Sequence, residues 1–125
     1  MTRKVNFFFV GAPKAGTTSI YDSLRHHQEI YLLKEKELHF FCDDLHEDSD
    51  AFHDVQNFYY TRKLEQYYKF NMDIDDQKII GDCSTSYFYS KSAAKNIYNY
   101  NPEAKILIAL REPVSLMFSW YSFLN

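Results

Sequence analysis

The residues best suited to chemistry in this sequence fall in three short stretches. Gly11-Ala12-Pro13-Lys14-Ala15-Gly16-Thr17-Thr18 sets a lysine and two hydroxyls in a glycine-bearing turn. It lies between an apolar run, residues 5–10, and a segment where apolar residues resume at Ile20 and Leu24. Strand, loop and helix in that order point the unpaired N–H groups of a helix N-terminus at an anion. Lys34-Glu35-Lys36-Glu37 follows directly on the apolar residues 30–33, and Arg111-Glu112-Pro113 on residues 104–110. Charge placed at a strand end lies where open α/β sheets bind their ligands.

The first stretch departs from two familiar phosphate loops. A Walker A loop puts lysine directly after its second glycine; here Gly11 and Gly16 keep the four-residue gap, but Thr17 follows Gly16 and the lysine sits earlier, at Lys14. That disfavours a P-loop kinase. The G-x-G-x-x-G dinucleotide fingerprint is absent. His39, Cys42 and His46 lack an evident fourth ligand for zinc, and the acidic run from Asp43 to Asp54 lacks the glycine and spacing of an EF-hand loop, so no metal is expected.

The elements that must position these residues follow from the hydrophobic pattern. Residues 5–10, apolar but for Asn6, suit a central strand buried on both faces of a parallel sheet. Residues 17–27 predict a helix, 30–33 a short strand, 42–54 a surface loop, and the aromatic-rich 55–70 a helix of about four turns. Residues 78–82 (KIIGD) predict a strand, 91–100 a helix ended by Asn101-Pro102, and 104–110 (AKILIAL) a second buried strand. Val114, Met117, Phe118, Tyr121 and Leu124 then form a helical stripe behind Pro113, a residue suited to a first helical position. Strands alternating with helices predict an α/β fold: a three-layer, P-loop-like parallel sheet with helices on both faces.

Composition agrees with one folded unit. The 125 residues include eleven Phe and eleven Tyr and carry a net charge of −3, which argues against a generally basic nucleic-acid or membrane-surface binder. Two cysteines are too few for a disulfide framework, and the six-residue apolar run after Arg3 and Lys4 is too short for a signal or membrane segment. A cytoplasmic chain is expected. The sequence stops just inside its last helix, which suits the N-terminal part of a domain over residues 1–125.

Pro13-Lys14-Ala15-Gly16-Thr17-Thr18 resembles the 5′-phosphosulfate loop, P-K-x-G-T-T, of sulfotransferases that use 3′-phosphoadenosine 5′-phosphosulfate (PAPS). Lys36-Glu37-Leu38-His39-Phe40-Phe41 is similar to the K-E-P-H-F-F block of their glycan-modifying branch, with Leu38 for proline. Arg111-Glu112-Pro113-Val114 with Ser119 and Tyr121 resembles the R-x-P-x-x-R-x-x-S-x-Y element for the 3′-phosphate, with Leu116 for the second arginine. Gly81-Asp82-Cys83-Ser84-Thr85-Ser86-Tyr87 is similar to G-E-K-[ST]-x-x-Y, departing at Asp82 and Cys83.

The resemblance implies transfer of a sulfuryl group from PAPS, without a metal, to a hydroxyl or amine of an acceptor, expected to be a carbohydrate. A non-catalytic nucleotide-binding partial domain is the alternative. It implies that Lys14 stabilises charge on the leaving phosphate and that Pro13, Ala15, Gly16, Thr17 and Thr18 complete the donor cradle. Arg111 and Ser119 would then bind the 3′-phosphate. Glu37 is the candidate general base, with Glu35 and His39 as competitors; Lys36 and Ser84 belong on the acceptor side.

Overall fold

A computed structural model describes residues 3–53, 59, 61–71 and 73–124. The first strand, β1 (Phe7–Gly11), is followed by α1 (Thr17–Leu24), β2 (Ile30–Leu32), α2 (Asp43–His53) and α3 (Leu64–Tyr68), the last continuing as a 3₁₀ turn over Lys69–Asn71. Next come β3 (Ile79–Cys83), a 3₁₀ turn at Thr85–Phe88, α4 (Ala93–Tyr100), β4 (Lys105–Ile108) and α5 (Pro113–Leu124). The strands form one parallel sheet in the order β2-β3-β1-β4, with Phe7 opposite Gly81 on one side and Lys105 on the other. β1 is flanked by strands on both sides, as its apolar sequence predicts.

Alternation along β1 divides the core into two layers. Phe8 and Val10 join Ile80, Leu33, Phe41, Tyr67, Tyr87, Ala93 and Ile97 on one face, beneath α3, α4 and the second 3₁₀ turn. Phe7 and Phe9 face the opposite layer with Leu32, Cys83, Tyr21, Ile20 and Leu24, so α1 covers that side. The predicted three-layer α/β arrangement follows directly from this period of two.

The structure corrects three expectations. Residues 43–53 are a helix rather than a loop. Asp43 and Asp44 occupy its first turn, where carboxylates favour the helix dipole, and the Asp44 carboxylate accepts hydrogen bonds from Ser90 Oγ, Lys91 N–H and Ser92 Oγ at 2.5–2.8 Å. Polar anchors and one buried residue, His46, hold this helix, so it carries no apolar period. The four-turn helix expected over 55–70 is, among the described residues, the short α3 and its 3₁₀ turn; residues 55–58 and 60 of that expectation lie outside them.

The strand expected to be buried at 104–110 is the edge strand β4, with Ile106 and Ile108 about half exposed. The regular stripe on α5 is exposed along its whole length and contributes no buried residue, because no described element packs over it. Glu112 starts that helix by accepting from the N–H groups of Val114 and Ser115 at 2.8 and 2.9 Å.

Gly11 ends β1 at φ +133°, and a Cβ there would lie 2.9 Å from Phe88 Cβ and 3.2 Å from the Thr85 carbonyl oxygen. Both the backbone angle and the close approach require glycine. Gly11→Ala is expected to lower stability by about 2–4 kcal/mol from strain plus overpacking, read as a lower urea midpoint at unchanged slope.

Candidate functional site

The carboxyl ends of all four strands open on one cleft of about 390 Å³. β1 delivers Pro13, Lys14, Gly16, Thr17 and Thr18; β2 leads to Lys36 and Glu37; β3 leads to Thr85; β4 leads to Arg111. α5 closes the side with Ser119, Trp120 and Phe123. A parallel sheet makes this convergence unavoidable, because every connection leaving a strand tip starts at the same edge.

Gly16 is the N-cap of α1 at φ +78°, with no side-chain cap and no acidic residue in the first turn. The leading N–H groups of α1, at residues that line the cleft, therefore have no carboxylate in their own helix turn to neutralise them. Lys36 Nζ donates to Thr18 Oγ1 at 2.8 Å, tying the second charged stretch to the first. Arg111 Nη1 donates to the Lys14 carbonyl at 3.0 Å, which fixes the third against the same loop. Lys14 Nζ lies 3.8 Å above the Phe123 ring. Three cations and a helix N-terminus thus share one pocket, a donor set that fits two phosphate-like anions.

Glu37 brings the only carboxylate to line the cleft among the described residues. Its Oε2 accepts from Thr85 N–H at 2.8 Å and from Thr85 Oγ1 at 3.0 Å. Burial pushes the carboxyl above its ordinary 4.5, against those two bonds, which favour the charged form. Its competitor Glu35 is exposed and outside the cleft. His39 Nε2 stands 3.6 Å from Glu37 Oε2, and its Nδ1 contacts Ser86 Oγ. Burial, with the neighbouring His46, lowers the imidazole to about 4, so it is uncharged at neutral pH and a weak base.

Nine of the residues singled out in the sequence line this cleft: Pro13, Lys14, Gly16, Thr17, Thr18, Lys36, Glu37, Arg111 and Ser119. Ala15, His39 and Ser84 do not. Ser84 is fully buried, donating to Asp82 Oδ1 at 2.8 Å and accepting from His39 N–H at 3.1 Å, so its hydroxyl faces the protein and not the cleft. Its neighbour Thr85 lines the cleft instead. Sequence reasoning chose Ser84 from the hydroxyl-rich run and missed Thr85, and it missed Trp120 and Phe123, which lie off the regular stripe of α5. No group of three or more His, Cys, Asp or Glu side chains suited to a metal occurs among the described residues.

Fold and cleft together define a P-loop-like α/β unit with a cationic, anion-facing site. No protein family model matches the chain. It is 28% identical over 118 residues to the membrane-associated sulfotransferase kil1 of Dictyostelium discoideum, covering 94% of this chain and 22% of that protein. Rat carbohydrate sulfotransferase 15 is 28% identical, with 94% of this chain and 27% of that protein covered. Mouse heparan sulfate glucosamine 3-O-sulfotransferase 5 is also 28% identical, with 90% and 29% covered. The crystal structure of a sulfotransferase from Alicyclobacillus acidocaldarius superposes with a TM-score of 0.82 at 32% identity, covering 98% of this chain and 50% of that one. The chain is homologous to sulfotransferases. It spans 22–29% of these curated relatives and half of the bacterial structure.

The depressed imidazole has a consequence for stability. The unfolded chain takes up a proton at His39 near pH 6.5 and the folded chain only near pH 4, so between these values acid favours unfolding. The carboxyls of Glu37 and Asp82, raised by burial, act in the opposite direction as pH falls through their own folded values. The His39 contribution, on the order of 2 kcal/mol, is therefore read as a difference. Denaturation from pH 6.5 down to 4 should show a shallower acid-side loss in His39→Gln than in wild type.

Proposed function

We propose that residues 1–125 form the N-terminal part of a sulfotransferase-like domain that moves a sulfuryl group from PAPS to a hydroxyl or amine of a glycan. The observation that carries this reading is the meeting of Lys14, the bare N-terminus of α1, Lys36, Glu37, Arg111 and Ser119 at one cleft. Its supports include the names of two relatives, a carbohydrate sulfotransferase and a heparan sulfate glucosamine sulfotransferase.

PAPS supplies the sulfuryl group; the chain supplies position and charge. The N–H groups of Gly16, Thr17 and Thr18 and the two threonine hydroxyls hold the oxygens of the 5′-phosphate, with Pro13 and Ala15 shaping the turn around them. Lys14 stabilises the negative charge that collects on the leaving phosphate oxygen as its bond to sulfur breaks. Glu37 accepts the proton from the attacking hydroxyl or amine as the new bond to sulfur forms. Its raised affinity for a proton suits a general base. Lys36 steadies the sulfuryl oxygens from the other side, and Arg111 with Ser119 takes the 3′-phosphate, Arg111 by a forked pair of hydrogen bonds.

A cytoplasmic site of action belongs to the same proposal, supported by two buried free cysteines, Cys42 and Cys83. Among the described residues, no helix is long and apolar enough to cross a membrane.

The test is transfer of radiolabelled sulfate from PAPS to a panel of glycans, with calorimetry of 3′,5′-adenosine bisphosphate alongside. Glu37→Gln is expected to lower turnover by about 10²–10⁴ while leaving bisphosphate binding nearly intact, and Lys14→Ala to lower turnover strongly. Full activity in either variant would overturn the assigned roles. Binding without any transfer by wild type would favour a non-catalytic nucleotide-binding module.

A further inference from the structure

Asp82 is fully buried on β3 and stands outside the cleft. Its Oδ2 accepts hydrogen bonds from the hydroxyls of Tyr67 and Tyr87, and its Oδ1 from Ser84, all at 2.8 Å. Two of those hydroxyls face the charged stretch that carries Glu37. Tyr87 OH accepts from Phe40 N–H at 3.0 Å and, more weakly, from Phe41 N–H at 3.4 Å; Ser84 Oγ accepts from His39 N–H at 3.1 Å. Each hydroxyl has one proton. Because that proton points at Asp82, the lone pairs turn toward the backbone of residues 39–41.

That backbone needs holding. Glu37 and His39 sit at φ +64° and +55°, conformations that side-chain-bearing residues adopt only when their surroundings over-determine them. The Glu37 N–H is itself fixed to the Cys83 carbonyl at 2.7 Å, at the end of the strand that carries Asp82.

We propose that Asp82 is a positioning residue: by orienting the hydroxyls of Tyr87 and Ser84 it clamps the backbone of residues 39–41 and so fixes where the Glu37 carboxylate stands in the cleft. The effect on catalysis rests on the sulfotransferase reading; the clamp itself does not. The inference needs a carboxylate in particular. An asparagine would present an N–H₂ to at least one hydroxyl, which would then have to reverse and aim its own proton at a backbone N–H.

Tyr67 supplies the internal control. It gives Asp82 a hydrogen bond as short as that from Tyr87, but its hydroxyl has no bond to the backbone of residues 39–41. Asp82→Asn, Tyr87→Phe and Tyr67→Phe are compared by amide hydrogen exchange, bisphosphate calorimetry and sulfate transfer. Asp82→Asn and Tyr87→Phe are expected to speed exchange at the Phe40 amide about tenfold or more. They should lower kcat by at least a similar factor, with KM for PAPS and bisphosphate affinity within about twofold. Tyr67→Phe should leave Phe40 exchange and kcat near wild type.

Equal effects of Tyr67→Phe and Tyr87→Phe on Phe40 exchange and kcat would overturn the inference, as would unchanged Phe40 exchange in Tyr87→Phe, which keeps the ring and does not depend on Asp82→Asn folding. The exchange experiment requires no turnover. A wild-type chain that transfers no sulfate would therefore count against the proposed function alone, with the clamp decided by exchange.

Discussion

A carboxylate removed from water must recover its hydration from protein donors, and at Asp82 it does so from three hydroxyls at once. Those donors come from α3, from the residue after β3 and from the following 3₁₀ turn, so one buried charge ties three segments to the sheet. Tyr67 and Tyr87 also belong to the aromatic cluster around Phe8 and Phe41, with Phe40 stacked on Tyr67 at 4.7 Å between ring centroids. Polar satisfaction and apolar packing therefore act on the same side chains. The loop that carries Glu37 inherits its shape from both.

The cleft depends on a second constraint, the parallel direction of the four strands. Because every strand tip opens on the same edge, residues as far apart in sequence as Lys14, Lys36, Thr85 and Arg111 meet without any long-range motif. The contacts Lys36–Thr18 and Arg111–Lys14 then fix these loops to one another at hydrogen-bond distance. The charge distribution is uneven: three cations and the leading N–H groups of α1 share the cleft with a single carboxylate among the described residues, that of Glu37. Such an arrangement can hold anions and accept one proton in the same enclosure, which is the physical requirement of group transfer between oxygens.

Much of this architecture is legible in the amino-acid sequence. The succession of strands and helices and the three layers follow from the alternation of apolar runs with loops bearing glycine or charge, while the nine cleft residues were legible through the resemblance of three short blocks to those of sulfotransferases. Local physics fixes these features: buried β1 needs an unbroken apolar run, and a glycine at positive φ ends the loop that starts α1. The helix at 43–53 is illegible because side-chain hydrogen bonds to Asp44 and a single buried histidine stabilise it, leaving no periodic signature. The stripe on α5 gives the converse case: the helix forms where the spacing places it, but periodicity records an apolar face without recording what covers it.

By itself the sequence determined which segments could be strands, where the glycine-bearing turn ahead of α1 lies, and that Lys14, Glu37 and Arg111 follow strand ends. Tertiary structure alone decided which of two adjacent hydroxyls, Ser84 or Thr85, reaches the cleft. It also decided that Glu37 rather than Glu35 lines the cleft, that His39 is a neutral, half-buried neighbour, and that Asp82 accepts hydrogen bonds from the hydroxyls of Ser84 and Tyr87 behind them. These choices turn on the direction a side chain points and on the partner it meets. Residue spacing specifies neither until distant strands are placed side by side.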